Sequence, residues 1–263
     1  MDDSYHIYIN RVARLTLLES YLSGVQHIQS SPKFQPQDDG MRKPVPFPGY
    51  SAISPPAAED PQNNAFYDDL QECQARLLGM LDPNLLVPLP PESFHLTLAD
   101  LIWEAGYLQA IEENPQFDSK LRQCIRQSFE QCSNLSPQEP IRAQVLGLSL
   151  MTRSIGVCLS PKSEDAYDLL VQLRRAIYQN QDLIALGIEQ QYHFTGHITL
   201  GYFGEIPTNL DRERLCSILS DFNRHWQEEP QELLIHKVEL RKFDDMTNYY
   251  REQDWPAFEW HGG

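Results

Sequence analysis

Cations are scarce in this chain. Its 263 residues hold 21 Lys and Arg against 37 Asp and Glu, a formal charge of −16. That balance disfavours broad adhesion to a phosphate backbone or an anionic membrane. Basic pairs such as those in "RRAI" and "VELRKF" are too few to make a stripe. A long nucleic-acid duplex is therefore excluded as a partner, while a small anion held by a local set of donors is not. Cysteine is sparse as well: five residues, widely spread, with no Cys-x-x-Cys pair. This argues against a zinc knuckle or redox motif and fits a reducing compartment. The start, "MDDSYHIYIN", lacks the basic and apolar regions of a signal peptide, and runs such as "VLGLSLM" are far too short to span a bilayer. The expectation is a cytoplasmic protein, monomeric and without a membrane partner. Hydrophobic content of 41% excludes wholesale disorder and supplies a core for one large domain or two joined lobes.

What is present is a pattern used twice. Ile9, Val12, Leu15, Leu18, Leu22 and Val25 recur at helical spacing, predicting one amphipathic helix over residues 8–28. The stretch that follows, residues 29–49, carries five prolines and reads as a connector or a wrapped arm. "YSAIS" then reads as a strand closed by Pro55, followed by a helix over 65–81 with Phe66, Leu70, Cys73 and Leu77 on one stripe. That unit ends in the strand "FHLTLADL". The second half repeats the order: "SIGVCLS" closed by Pro161, a helix capped by Ser163 with Tyr167, Leu170, Leu173 and Ile177 inward, then "HITLGYF". Between the units lie a predicted helix over 118–132 and a hairpin turning at Thr152–Arg153. A helix over 211–226 and a strand over 233–240 follow the second unit. Mixed helices and antiparallel hairpins predict an α+β fold.

His95 and Thr97 share one face of an extended strand, as do His197 and Thr199, because side chains alternate. Leu96, Leu98, Ile198 and Leu200 point the other way and want a core. Packed about a pseudo-twofold axis, the two polar faces would meet across a groove and aim two imidazoles at one ligand. A neutral imidazole can take a proton from an attacking hydroxyl while an imidazolium protonates a departing oxygen. The threonine hydroxyls would hold non-bridging phosphoryl oxygens. A phosphodiester is the substrate this set suits.

The paired "HLTL" and "HITL", each closing a strand–helix–strand unit, resemble the two-histidine phosphoesterase superfamily, also called LigT-like. The resemblance covers roughly residues 46–243 and points to a bacterial branch whose substrate it leaves open. It implies a bilobal α+β fold with a central groove, each lobe an antiparallel sheet with helices. It also implies His95 and His197 as the catalytic pair, Thr97 and Thr199 as phosphate-binding partners, and neither cofactor nor metal. The expected organisation is an N-terminal helix and arm (1–45), a two-lobed domain (46–243, repeats about 50–101 and 154–203) and a C-terminal tail packed on it (244–263). The expected activity is metal-independent hydrolysis of a 2′,3′-cyclic phosphate, an RNA end or a similar small nucleotide diester. The alternative is a protein that binds a nucleotide or nucleotide second messenger in the same groove without cleaving it. Other residues stay open. His193, four before His197, is either a metal ligand or an edge histidine; Arg153 either approaches a phosphate or is a solvated turn residue. Tyr202 and Trp103 either stack on a base or pack in the core.

Overall fold

The computed structural model describes residues 2–38, 40–135, 138–228 and 230–261. The last two residues of the expected tail lie outside them. The chain opens with helices α1 (Tyr5–Arg14) and α2 (Leu18–Gly24), then short strands β1 (Phe34–Pro36) and β2 (Arg42–Pro44). The first repeat unit is β3 (Gly49–Ile53), α3 (Asn64–Met80), β4 (Leu86–Pro88) and β5 (Thr97–Trp103). Helices α4 (Glu104–Glu113) and α5 (Phe117–Gln131) lead to β6 (Ile141–Leu150). The second unit is β7 (Ser154–Pro161), α6 (Glu164–Tyr178), α7 (Gln181–Ala185) and β8 (His197–Phe203). Then come α8 (Arg212–Glu228), β9 (Glu232–Ile235), β10 (Lys237–Asp245), β11 (Asn248–Tyr250) and β12 (Ala257–Glu259).

Two five-stranded antiparallel sheets carry the site. The first runs β11-β10-β3-β5 with β12 also on β10, and the second runs β4-β8-β7-β6-β9. β3 beside β5 corresponds to β7 beside β8, so the α+β, twice-used architecture expected from the pattern is what forms. The predicted stripes are inward: Phe66, Leu70, Cys73 and Leu77 of α3, and Tyr167, Leu170, Leu173 and Ile177 of α6, are all buried. Ser163 accepts a hydrogen bond from the Ala166 N–H and caps α6 as expected. All five cysteines are buried and unpaired. Among the described residues no helix is long and apolar enough to cross a membrane.

Two expectations fail locally, and one helix lies outside the expected elements. The predicted N-terminal helix is two, because Leu17 is extended (φ −90°, ψ 149°); Val12 and Val25 are buried as expected, but the register shift leaves Leu18 and Leu22 exposed and buries Tyr8 and Tyr21 instead. The predicted strand over 233–240 is two strands in different sheets, β9 on β6 and β10 on β3. They part at His236, whose Nε2 lies 2.9 Å from Asp60 Oδ1, while the Asn63 side chain bonds Leu234 on both its N–H and its carbonyl. Helix α4 was not foreseen; its first residue, Glu104, has φ +47°.

Each motif strand is bulged, and each bulge is braced by the other unit's helix. In β8, Gly156 faces Thr199 and Ile155 faces Gly201, so Leu200 has no partner in β7. The Leu200 carbonyl accepts from the buried Gln74 amide of α3 (2.7 Å), which also donates to Leu89 O (2.8 Å), and from the Leu89 N–H (3.0 Å). In β5, Ile53 faces Thr97 and Ala52 faces Ala99, so Leu98 is the extra residue. Its carbonyl accepts from the buried guanidinium of Arg174, on α6. Buried carbonyls left without donors are costly, which is why both positions carry long polar side chains inside an apolar helix face. Replacing Gln74 by Leu removes two such bonds at near-constant volume. A loss of about 1–3 kcal/mol in urea unfolding is expected; unchanged stability would mean the brace is idle.

Candidate active site

The first motif is delivered by a short turn. Pro91–Ser93 forms one 3-10 turn, after which His95 runs extended into β5. Ser54 clamps this entrance, its hydroxyl accepting from the Leu96 N–H (2.9 Å) and its own N–H donating to Leu96 O (2.9 Å). The second motif begins β8 directly after Gly196. A Cβ at Gly196 would stand 2.7 Å from the Leu159 carbonyl, so only glycine lets the chain approach β7 there. Helix α1 fixes the approach: Arg11 donates to Phe194 O (2.6 Å) and Thr195 Oγ1 (2.8 Å), and the Tyr8 ring lies between Tyr167 and Phe194.

The two histidines are held alike. His95 Nδ1 lies 2.7 Å from Ser93 O and His197 Nδ1 lies 2.8 Å from Thr195 O, each carbonyl two residues upstream. A carbonyl only accepts, so Nδ1 carries the proton in both rings and Nε2 is the nitrogen left for chemistry. Leu96, Leu98, Ile198 and Leu200 are buried behind the strands. His95, Thr97, His197 and Thr199, each half-buried, line one cavity of about 710 Å³ between the sheets. All four expected site residues are thus brought together.

The bulges recruit further groups to this wall. Strict alternation would turn Asp100 and Tyr202 away from the threonines. With one unpartnered residue in between, Thr97 and Asp100 face Ile53 and Ser51, and Thr199 and Tyr202 face Gly156 and Ser154. A second irregularity in β5 places Trp103 opposite Gly49 on the same face. Asp100, Trp103 and Tyr202 accordingly line the cavity. Asp100 accepts from the Ser51 (3.3 Å) and Tyr192 (2.9 Å) hydroxyls, and the Tyr178 hydroxyl of α6 donates to its carbonyl (2.7 Å).

Groups from outside both repeats complete the site. Tyr249, on β11, tilts over His95 with ring centroids 4.2 Å apart. Burial pushes the His95 imidazole down to about 4, with His197 and Arg241 adding to the shift and the Ser93 carbonyl and Asp100 opposing it. Lys33 enters from the proline-rich arm; its ammonium donates to Met246 Sδ (3.1 Å) and Tyr202 Oη (3.4 Å), and burial pushes it down to about 8. Neither Lys33 nor Tyr249 announces itself in sequence, because each sits in a segment with no periodic pattern. Arg153 reaches the cavity rim and bonds Gln29 Oε1 (3.3 Å). His193 is not on the cavity wall; its Nδ1 lies 3.4 Å from Asp3. Among the described residues no cluster of three or more His, Cys, Asp or Glu side chains is placed to hold a metal ion.

No protein-family model matches the sequence, and no curated protein matches it. Solved structures do. A conserved protein of unknown function from Agrobacterium tumefaciens superposes with a TM-score of 0.60 at 16% identity, over 89% of this chain and 96% of that one. E. coli LigT complexed with 3′-AMP gives a TM-score of 0.38 at 15% identity, over 82% of this chain and 98% of that one. The MHV ns2 PDE domain gives 0.37 at 14%, over 75% and 100%. Likeness at these identities concerns the fold, which by itself does not fix an activity. In fold, the chain is α+β on two antiparallel sheets and is similar to the Agrobacterium protein; its resemblance to the two-histidine phosphoesterase superfamily rests on the paired motifs.

Proposed function

We propose that this chain is a member of that superfamily and a metal-independent phosphodiesterase that hydrolyses a 2′,3′-cyclic phosphate or a similar small nucleotide diester. The observation that carries the reading is the matched pair of imidazoles lining one cavity, each with Nδ1 committed to a carbonyl, which leaves Nε2 for the reaction. The two rings differ in environment, which supports distinct roles. His95, whose proton affinity burial lowers, is neutral near pH 7 and is the base: its Nε2 takes a proton from water as the water oxygen bonds to phosphorus. His197 is the acid, giving its Nε2 proton to the ribose oxygen as that oxygen leaves phosphorus. The Ser93 carbonyl then steadies the imidazolium formed on His95. Thr97 and Thr199 hold the non-bridging oxygens, where negative charge gathers in the transition state. E. coli LigT itself has been solved in complexes with 3′-AMP, phosphate and ATP.

His95→Ala and His197→Ala should each lower kcat on nucleoside 2′,3′-cyclic phosphates by about 10²-fold or more, with chelator present and far-UV circular dichroism unchanged. Near-full turnover by either variant sinks the pair as acid and base. Tight nucleotide binding with no product in the unmutated protein would identify a receptor instead.

The base assignment has its own signature. Because His95 must be unprotonated, kcat/KM should hold as pH falls through 6 and decline only toward pH about 4, where His95 gains its proton. An acidic limb near the ordinary imidazole value, about 6.5, would reverse the roles.

A further inference from the structure

The cavity holds cations that the two-histidine reaction does not use. Lys33 projects from the arm between Tyr202, on the second sheet, and Met246, in the turn after β10, and it lies over the rings of Phe47 (4.4 Å) and Tyr202 (5.0 Å). Its hydrogen-bond acceptors are a thioether and a phenol, neither of them an anion. The carboxylates nearest in effect are Asp100 and Glu104, and both oxygens of Asp100 already accept from hydroxyls. Arg153 lines the same cavity, and its charge reaches Lys33, where it opposes protonation. Two like charges within reach of each other, on a chain of formal charge −16, are relieved by an anion that meets both.

We propose that Lys33, backed by Arg153, forms a second anion subsite, and that the substrate is a nucleotide diester carrying a further phosphate beyond the one that reacts. The proposal rests on the phosphodiesterase reading above for the identity of the reacting group. The position of Lys33 supports it. Thr199 and Tyr202 face residues two apart on β7, so the phenol that Lys33 contacts begins roughly 7 Å along the strand from the threonine assigned to the reacting phosphate. That is the scale separating two phosphates on one nucleoside. The placement of Lys33 is also fixed before any ligand arrives. On one side the Ser31 N–H donates to Phe203 O (2.8 Å), and on the other the Phe47 N–H donates to Asp244 O (2.7 Å). The Lys33 carbonyl accepts from Val45 N–H (3.0 Å), and its N–H donates to Ser31 Oγ (3.2 Å). A cation held so firmly loses little freedom on meeting an anion.

The test compares adenosine 2′,3′-cyclic phosphate with its 5′-phosphorylated form, and adenosine 3′-monophosphate with adenosine 3′,5′-bisphosphate as binding probes. The unmutated protein should favour the additional phosphate about tenfold or more in kcat/KM and in calorimetric Kd. Lys33→Met should collapse both ratios toward one, Lys33→Arg should keep most of the preference, and Arg153→Gln should reduce it in part. Ratios near one in the unmutated protein, or ratios that Lys33→Met leaves intact, overturn the subsite. Turnover without preference would do so while sparing the phosphodiesterase reading. A preference in binding without turnover of either cyclic phosphate would spare the subsite and remove the hydrolytic reading.

Discussion

Two backbone carbonyls, Leu98 O and Leu200 O, are the points on which the architecture turns. Each belongs to the residue that a bulge leaves without a strand partner, and each is satisfied from the helix of the other repeat unit: Arg174 of α6 for the first, Gln74 of α3 for the second. The arrangement makes the halves interdependent. Without the braces the Leu98 carbonyl would lose its buried donor and the Leu200 carbonyl would keep only the Leu89 N–H, and a brace without its bulge would bury an unmet donor. The same bulges aim Asp100 and Tyr202 into the cavity, so the lining of the site depends on contacts made behind it.

The motif pair is symmetric in sequence and unequal in its surroundings. Both rings use the same nitrogen on an equivalent carbonyl, yet Tyr249 covers only His95. That ring arrives on β11, whose sheet partner β10 lies beside β3 of the first sheet. In the same sheet the buried Arg241 is held by the buried Glu239 and by the exposed Glu59 (2.7 Å to each Glu59 oxygen), and its guanidinium reaches the Tyr249 carbonyl. A repeat that began with two like imidazoles thus yields one that is hard to protonate, through burial above all and through the charges of His197 and Arg241.

The sequence carried the repeat, the helix stripes and the four motif side chains because each rests on a periodicity that local chemistry enforces. Leu96 and Leu98, or Ile198 and Leu200, must go inward, and their neighbours must then go outward. The bulges were hidden because nothing in "HLTLAD" or "HITLGY" marks an extra residue; it exists only relative to a partner strand. Tyr202 and Trp103 stayed open between core and cavity for that reason. The break at His236 was hidden likewise, since β9 and β10 read as one apolar run and separate only because different sheets claim them. Lys33 was illegible for another reason: prolines and turns tell where a chain bends, and say little about where a side chain in it ends up.

The arm that carries Lys33 touches both sheets through main-chain bonds, Ser31 to Phe203 and Phe47 to Asp244. Between those anchors the arm doubles back as the β1–β2 pair, with the Val45 N–H on the Lys33 carbonyl, so the span it sets is the width of a strand pair plus the few residues that flank it. Gaining or losing a residue at the hairpin tip would leave that span alone. A change in the flanks, next to Ser31 or Phe47, would resize the aperture even where every wall residue stayed the same.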